Sequence, residues 1–135
     1  MLPSGRMARA IVFLTPRHGT IQYHPSLLPL HRGPSSISWP IALGARQTGL
    51  SIFRPTDGLD EGPVILQKET RISPDDTLGT VYFDRLFPMG VQAMLEAADL
   101  VVAGKHRELV QDEAQATYEC NETAHGADCG APPSQ

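Results

Sequence analysis

Residues 20–33 read Thr20-Ile21-Gln22-Tyr23-His24-Pro25-Ser26-Leu27-Leu28-Pro29-Leu30-His31-Arg32-Gly33, and the reading of the rest of the chain depends on them. Thr20 to Tyr23 is a short extended segment. Pro25 then biases His24 toward β or polyproline geometry and removes a ladder donor, so the strand should end at His24. A loop rich in proline and glycine follows, from Pro25 to Pro34. A histidine is thus delivered to the end of a strand. In open α/β sheets that is where ligands bind.

C-terminal to this loop, Ser35 or Ser36 can cap a short helix through Ile37, Trp39, Ile41 and Leu43. Pro40 must lie in its first turn, and Gly44 should stop it. Leu50 and Ile52 alternate with polar neighbours, and Val64, Leu66 and Ile72 share one parity with Lys68 and Thr70. Both segments fit the two-residue period of a strand. Between them, Pro55 to Pro63 is dense in turn formers and carries Asp57 and Asp60. Leu78, Val81, Tyr82 and Leu86 recur at helical spacing, as do Phe87, Val91, Met94, Leu95, Ala98 and Val101. Pro88 should kink or split that region, with Asp75 or Asp76 as its cap and Gly104 as its stop. On the N-terminal side, Ile11-Val12-Phe13-Leu14 reads equally as a strand or a last helical turn.

With 135 residues there is room for one modest core and not for two. Apolar residues at 41% with 12 glycines are ordinary for a globular chain. Lysine and arginine number 11 against 15 acids, a net charge of -4, which disfavours a nucleic-acid backbone or an anionic membrane as partner. The longest apolar run, Ala10 to Leu14, falls far short of the roughly 20 residues of a membrane span. Arg6 and Arg9 interrupt any signal-like segment, so a cytoplasmic location is expected. No GxGxxG or GxxxxGK[ST] occurs, and His18, His24 and His31 lack a zinc-ligand spacing, so neither a dinucleotide nor a metal is expected. Cys120 and Cys129 lie in a polar stretch that reads as a disordered tail from Cys120 to Gln135.

The chemistry concentrates at His24 and at Asp57 and Asp60. A carboxylate beside an imidazole favours the protonated ring and fixes its tautomer, so the histidine can donate to a developing oxyanion. By residue type alone, a histidine before proline and an Asp-Gly pair also read as plain turn residues.

The stretch from Pro16 to Gly33 resembles the active-site segment of the folate-dependent formyltransferases, whose hallmark is HxSLLPxxxG. The resemblance continues through Thr48-Gly49, Ile52-Phe53, Asp57-Gly58-Leu59-Asp60-Glu61-Gly62-Pro63, Leu66-Gln67-Lys68-Glu69 and Ser73-Pro74-Asp75-Asp76-Thr77. It covers Thr15 to Gly104, with weaker similarity out to Tyr118. Tyr-His-Pro-Ser-Leu-Leu-Pro and Leu-Phe-Pro-Met-Gly are nearest to the hydrolase domain of the 10-formyltetrahydrofolate dehydrogenases. This resemblance implies an α/β fold, the C-terminal part of a Rossmann-like domain, with a few-stranded mixed sheet and flanking helices. Residues 1–14 are then an unassigned segment, 15–118 a partial formyltransferase-like domain and 119–135 a tail.

The resemblance also implies roles. 10-Formyltetrahydrofolate would be the formyl donor, with no metal. His24 falls on the family histidine, which would polarise the formyl carbonyl and stabilise the oxyanion. Asp60 falls on the family aspartate, which would hold that histidine and help move protons. Gln22 stands where many transferases carry asparagine, and keeps the amide donor on a longer arm. The backbone of Thr56, Asp57, Gly58 and Leu59 would lie along the pterin ring. The family has several more strands and helices before this segment, where this chain has Met1 to Leu14. Exposed apolar sheet and helix faces are therefore expected, to be covered by a missing N-terminal half or by a partner chain. Two functions follow: formyl transfer or hydrolysis of 10-formyltetrahydrofolate through a His/Asp pair in one-carbon metabolism, or an inactive truncated paralogue or gene fragment that at most binds a partner. The acceptor stays open among water, an amino sugar, a nucleotide amine and a charged tRNA.

Overall fold

The computed structural model describes residues 15–119. The expectations for Ile11 to Leu14 and for the tail with Cys120 and Cys129 lie outside them. Strands β1 (Gln22–His24), β2 (Gln47–Phe53) and β3 (Val64–Arg71) form one sheet in the order β1-β2-β3. Both pairings are antiparallel, with His24 opposite Ser51 and Ile52 opposite Leu66. The sheet expected to be mixed is thus antiparallel among its described strands. Outside the sheet, an isolated parallel bridge joins Arg32 and Tyr118. The short Pro55 to Pro63 loop can return the chain only as a hairpin.

β2 is buried on both faces from Thr48 to Phe53 rather than on one, because it is the central strand. Leu50 and Ile52 face Val81, Leu86, Ala93 and Ala97 of the helical layer. On the opposite face Ser51 anchors the Pro25 to Pro34 loop. Its hydroxyl donates to the Ser26 carbonyl at 2.7 Å and accepts the Leu28 amide at 3.1 Å. Gln67 donates to the Leu28 carbonyl at 2.9 Å. These bonds satisfy the polar groups of a loop that lies against a buried strand. Along β3, Leu66, Lys68 and Thr70 are half-buried while Gln67, Glu69 and Arg71 are exposed, the expected alternation.

Helix α1 spans Ser38–Ala42 and neither Ser35 nor Ser36 caps it. The chain enters through Ile37 already in helical geometry, and Ile37 has no side-chain oxygen to cap with. Helix α2 (Leu78–Val81) is capped by Thr77 and Thr80 reciprocally, not by Asp75 or Asp76. A π-helical turn, Tyr82–Leu86, joins it to α3 (Phe87–Val102). The wide turn places Pro88 in the first turn of α3, where its missing N–H costs nothing. Gly104, at φ 68°, follows the helix end as expected.

The buried stripe of α3 is Gly90, Ala93, Ala97 and Val101. Of the residues read as its apolar face, Phe87, Val91 and Leu95 are instead at least half exposed. Small residues win because they let the helix approach the sheet closely: a Cβ on Gly90 would stand 2.7 Å from the Tyr23 ring. Gly90→Ala gains about 1 kcal/mol of helix propensity but overpacks at a cost of about 1–3 kcal/mol. A lowered urea midpoint is expected, and an unchanged or higher one would show that the ring gives way freely. The exposed residues line a groove of about 360 Å³ with Tyr23 and Tyr82. Burial pushes the Tyr23 phenol up to about 12.

Asp76 has a different task from capping. Its carboxylate accepts both Arg85 Nη groups at 2.6 and 3.0 Å and the Ser73 amide at 2.7 Å. Arg85 first, then the Ser73 backbone, holds the Asp76 carboxyl well below the usual carboxylate range. A folded value below the unfolded one contributes stability above the unfolded value, and that stability is lost as pH falls through the folded value. The urea midpoint should therefore be flat near neutrality and drop below about pH 5, less steeply in Asp76→Asn.

Candidate active site

β1 ends at His24 because Pro25 cannot continue the ladder, and the imidazole is buried at 6% exposure. Two loops close on it. From the Pro25 to Pro34 loop, the His31 carbonyl accepts from His24 Nε2 at 2.9 Å. From the Pro55 to Pro63 loop, Asp60 Oδ2 lies 3.5 Å from His24 Nδ1. Each ring nitrogen thus has an oxygen acceptor beside it. Asp60 Oδ2 also accepts the Gly33 amide at 2.9 Å.

The backbone around the ring is unusual in a consistent way. Among the described residues, His31 and Asp60 are the non-glycine residues with positive φ, each at 54°. They are also the two that meet the His24 ring. Such conformations cost roughly 1–3 kcal/mol each and persist where surrounding structure enforces them, often at functional sites.

The other expected site residues are placed as follows. Gln22 lies two residues before His24 on the same face of β1, with its side chain exposed. Thr56, Asp57 and Leu59 are exposed and Gly58 half-buried, in the loop that ends at Asp60. The structure brings His24 and Asp60 together and leaves Gln22 and Thr56 to Leu59 on the accessible side. Ser26 is a structural residue, its hydroxyl donating to the Leu30 carbonyl at 2.6 Å.

Arg32, although it lies in a loop, is buried. It is 1% exposed and its guanidinium is fully engaged. Nη1 and Nη2 fork onto Glu113 at 2.9 and 2.7 Å, Nε and Nη2 reach Gln111 Oε1 at 3.2 and 2.8 Å, and Nη1 meets the Tyr118 hydroxyl at 2.5 Å. Glu113 is drawn below the usual carboxylate range by this pairing. A C-terminal arm is thereby fastened over the site. It starts at the Val64 to Leu109 bridge, makes a 3-10 turn at Glu113–Gln115, and binds the His31 and Arg32 amides through Thr117. Sequence reading missed Gln111, Glu113 and Tyr118 because no local pattern marks partners about 80 residues away in the chain. Among the described residues there is no group of three or more His, Cys, Asp and Glu placed to hold a metal, and no helix long and apolar enough to cross a membrane.

The family model described as formyl transferase matches residues 7–98. This chain belongs to the formyltransferase family. It is 50% identical over 108 residues to cytosolic 10-formyltetrahydrofolate dehydrogenase from Homo sapiens, covering 80% of this chain and 12% of that protein. It is 42% identical over 111 residues to methionyl-tRNA formyltransferase from Anaeromyxobacter sp. (strain K), covering 82% of this chain and 35% of the relative. Among solved structures, the formyltransferase PseJ from Anoxybacillus kamchatkensis, in complex with UDP-4,6-dideoxy-4-formamido-L-AltNAc and tetrahydrofolate, superposes with a TM-score of 0.69 at 26% identity, over 88% of this chain and 58% of that one. The chain therefore spans about an eighth of the length of the dehydrogenase it matches. Its α/β fold is that of the family.

Proposed function

We propose that this chain carries the formyl-handling part of a folate-dependent formyltransferase domain, residues 15–118, in which His24 and Asp60 pass the formyl group of 10-formyltetrahydrofolate to water or an amine. One observation supports this above the others: a buried imidazole held at a strand end between the Asp60 carboxylate and the His31 carbonyl. The relatives suggest the substrate, since PseJ was solved with tetrahydrofolate and the human relative is named for its 10-formyl derivative.

In this mechanism His24 exchanges its bond to the His31 carbonyl for one to the formyl oxygen. Water or an amine adds to the formyl carbon and negative charge builds on that oxygen. The ring donates to it, and Asp60 balances the positive charge on the ring. The adding group loses a proton, the bond from carbon to the folate nitrogen breaks, and that nitrogen takes up a proton. Gln22 supplies a second amide donor from the same strand face, and the Thr56 to Leu59 backbone runs along the pterin. The oxyanion is stabilised by hydrogen bonds, without a metal. We place the reaction in cytoplasmic one-carbon metabolism and the remaining N-terminal half of the family domain on the Phe87, Val91 and Leu95 face.

Titration of the full chain with tetrahydrofolate tests this. Saturable binding that weakens at least about tenfold in His24→Ala and Asp60→Ala supports it. A second reading is favoured by the exposed stripe on α3: an inactive partial copy of the domain that at most binds a partner. A chain that aggregates and binds no folate supports that one.

A further inference from the structure

We infer that Gln111 is a positioning residue for the His24 and Asp60 pair, acting through the backbone of the Asp60 turn; this rests on the reading of that pair as catalytic. Gln111 is buried at 6% exposure, between exposed Val110 and Asp112. Its amide has its polar capacity filled from both sides. The oxygen accepts from Arg32 Nε and Nη2. The nitrogen donates to the Asp60 carbonyl at 2.8 Å and the Gly62 carbonyl at 2.7 Å. A primary amide has two N–H donors, and here both are spent on one turn.

That turn is the one that aims the carboxylate. Asp60 sits at φ 54°, a conformation a non-glycine residue keeps only when neighbours enforce it. With its carbonyl pinned, the side chain reaches His24 Nδ1 at 3.5 Å and the Gly33 amide at 2.9 Å. Gln111 thus couples the Arg32 clasp to the position of the Asp60 carboxylate without touching the His24 ring.

Gln111→Glu separates its two contacts. The new carboxylate still accepts from Arg32, but it turns an oxygen toward the Asp60 and Gly62 carbonyls and repels them. The readout is amide hydrogen exchange in the full chain by NMR. The Gly33 amide reports on the Asp60 carboxylate, and the Arg32 amide, bonded to the Thr117 carbonyl, reports on the arm. Gln111→Glu is expected to raise Gly33 exchange about tenfold or more, toward the level of Asp60→Ala, with Arg32 exchange nearly unchanged. The His24 ring nitrogen shifts should move in the same direction as in Asp60→Ala. An unchanged Gly33, or an equal rise at both amides, overturns the inference, the second by showing that Gln111 only fastens the arm. If Gln111→Glu does not fold, Gln111→Met, which removes both contacts, is measured at Gly33: a rise toward the Asp60→Ala level supports the inference and an unchanged Gly33 overturns it. Folate binding by His24→Ala and Asp60→Ala tests the catalytic reading separately. Parent-like binding would remove that reading while Gly33 exchange still reported whether Gln111 holds Asp60.

Discussion

Asp60→Asn is expected to lower turnover of 10-formyltetrahydrofolate at least about 100-fold while leaving the fold intact. The substitution is close to isosteric. Asparagine tolerates the left-handed backbone at φ 54°, and its amide oxygen can still accept the Gly33 N–H. What disappears is the negative charge 3.5 Å from His24 Nδ1. In the proposed reaction the ring must be positively charged while the formyl oxygen becomes an oxyanion, and that carboxylate balances it. The loss should fall on kcat rather than KM, because asparagine keeps the turn and its bond to Gly33, which Asp60→Ala would not, and removes only the charge. Steady-state kinetics together with a melting curve check this. A variant with parent-like kcat would remove Asp60 from the chemistry, and a melting point many degrees lower would reassign it to structure.

The second large effect is expected from Arg32→Met, a loss of roughly 2–4 kcal/mol of stability. Methionine fills much of the volume but leaves Gln111 Oε1 buried without its donors and frees Glu113 and Tyr118 from the fork. Glu113 itself is 56% exposed, so it rehydrates, and the cost stays below that of stranding a buried ion. Arg32→Lys should recover little of this, since one ammonium cannot serve Gln111, Glu113 and Tyr118 in their planar arrangement. Urea unfolding gives the magnitude, and amide exchange over residues 111–118 shows where the protein opens. A variant as stable as the parent would mean that the arm is held by the bonds of Thr117 to Pro29, His31 and Arg32 and by the Val64 to Leu109 bridge.

Where local chemistry is sufficient, the sequence could be read directly. Pro25 ends β1, Gly44 and Gly104 follow helix ends, the Pro55 to Pro63 cluster makes the turn before β3, and Pro88 divides the helical region. The order of the two motifs also pointed to His24 and Asp60 as neighbours, and the structure places them together. The errors lie where several local solutions had similar energies. Thr77 was as good a cap as Asp76, and the choice fell to Thr77 because Asp76 is drawn away by Arg85, nine residues on.

By itself, then, the amino-acid order determined the strands and the main helices, because proline, glycine and the two-residue and helical periods act over a few residues, and its two motifs carried the resemblance to the family. Tertiary structure alone decided three things. It buried both faces of β2, chose Gly90, Ala93 and Ala97 over the larger apolar residues of α3, and turned Arg32 inward. In each case the deciding partner is remote in the chain: the Tyr23 ring against Gly90, the Leu28 loop over Ser51, and Gln111 between Arg32 and Asp60. Close packing and the pairing of buried polar groups depend on such partners, and no local pattern encodes them.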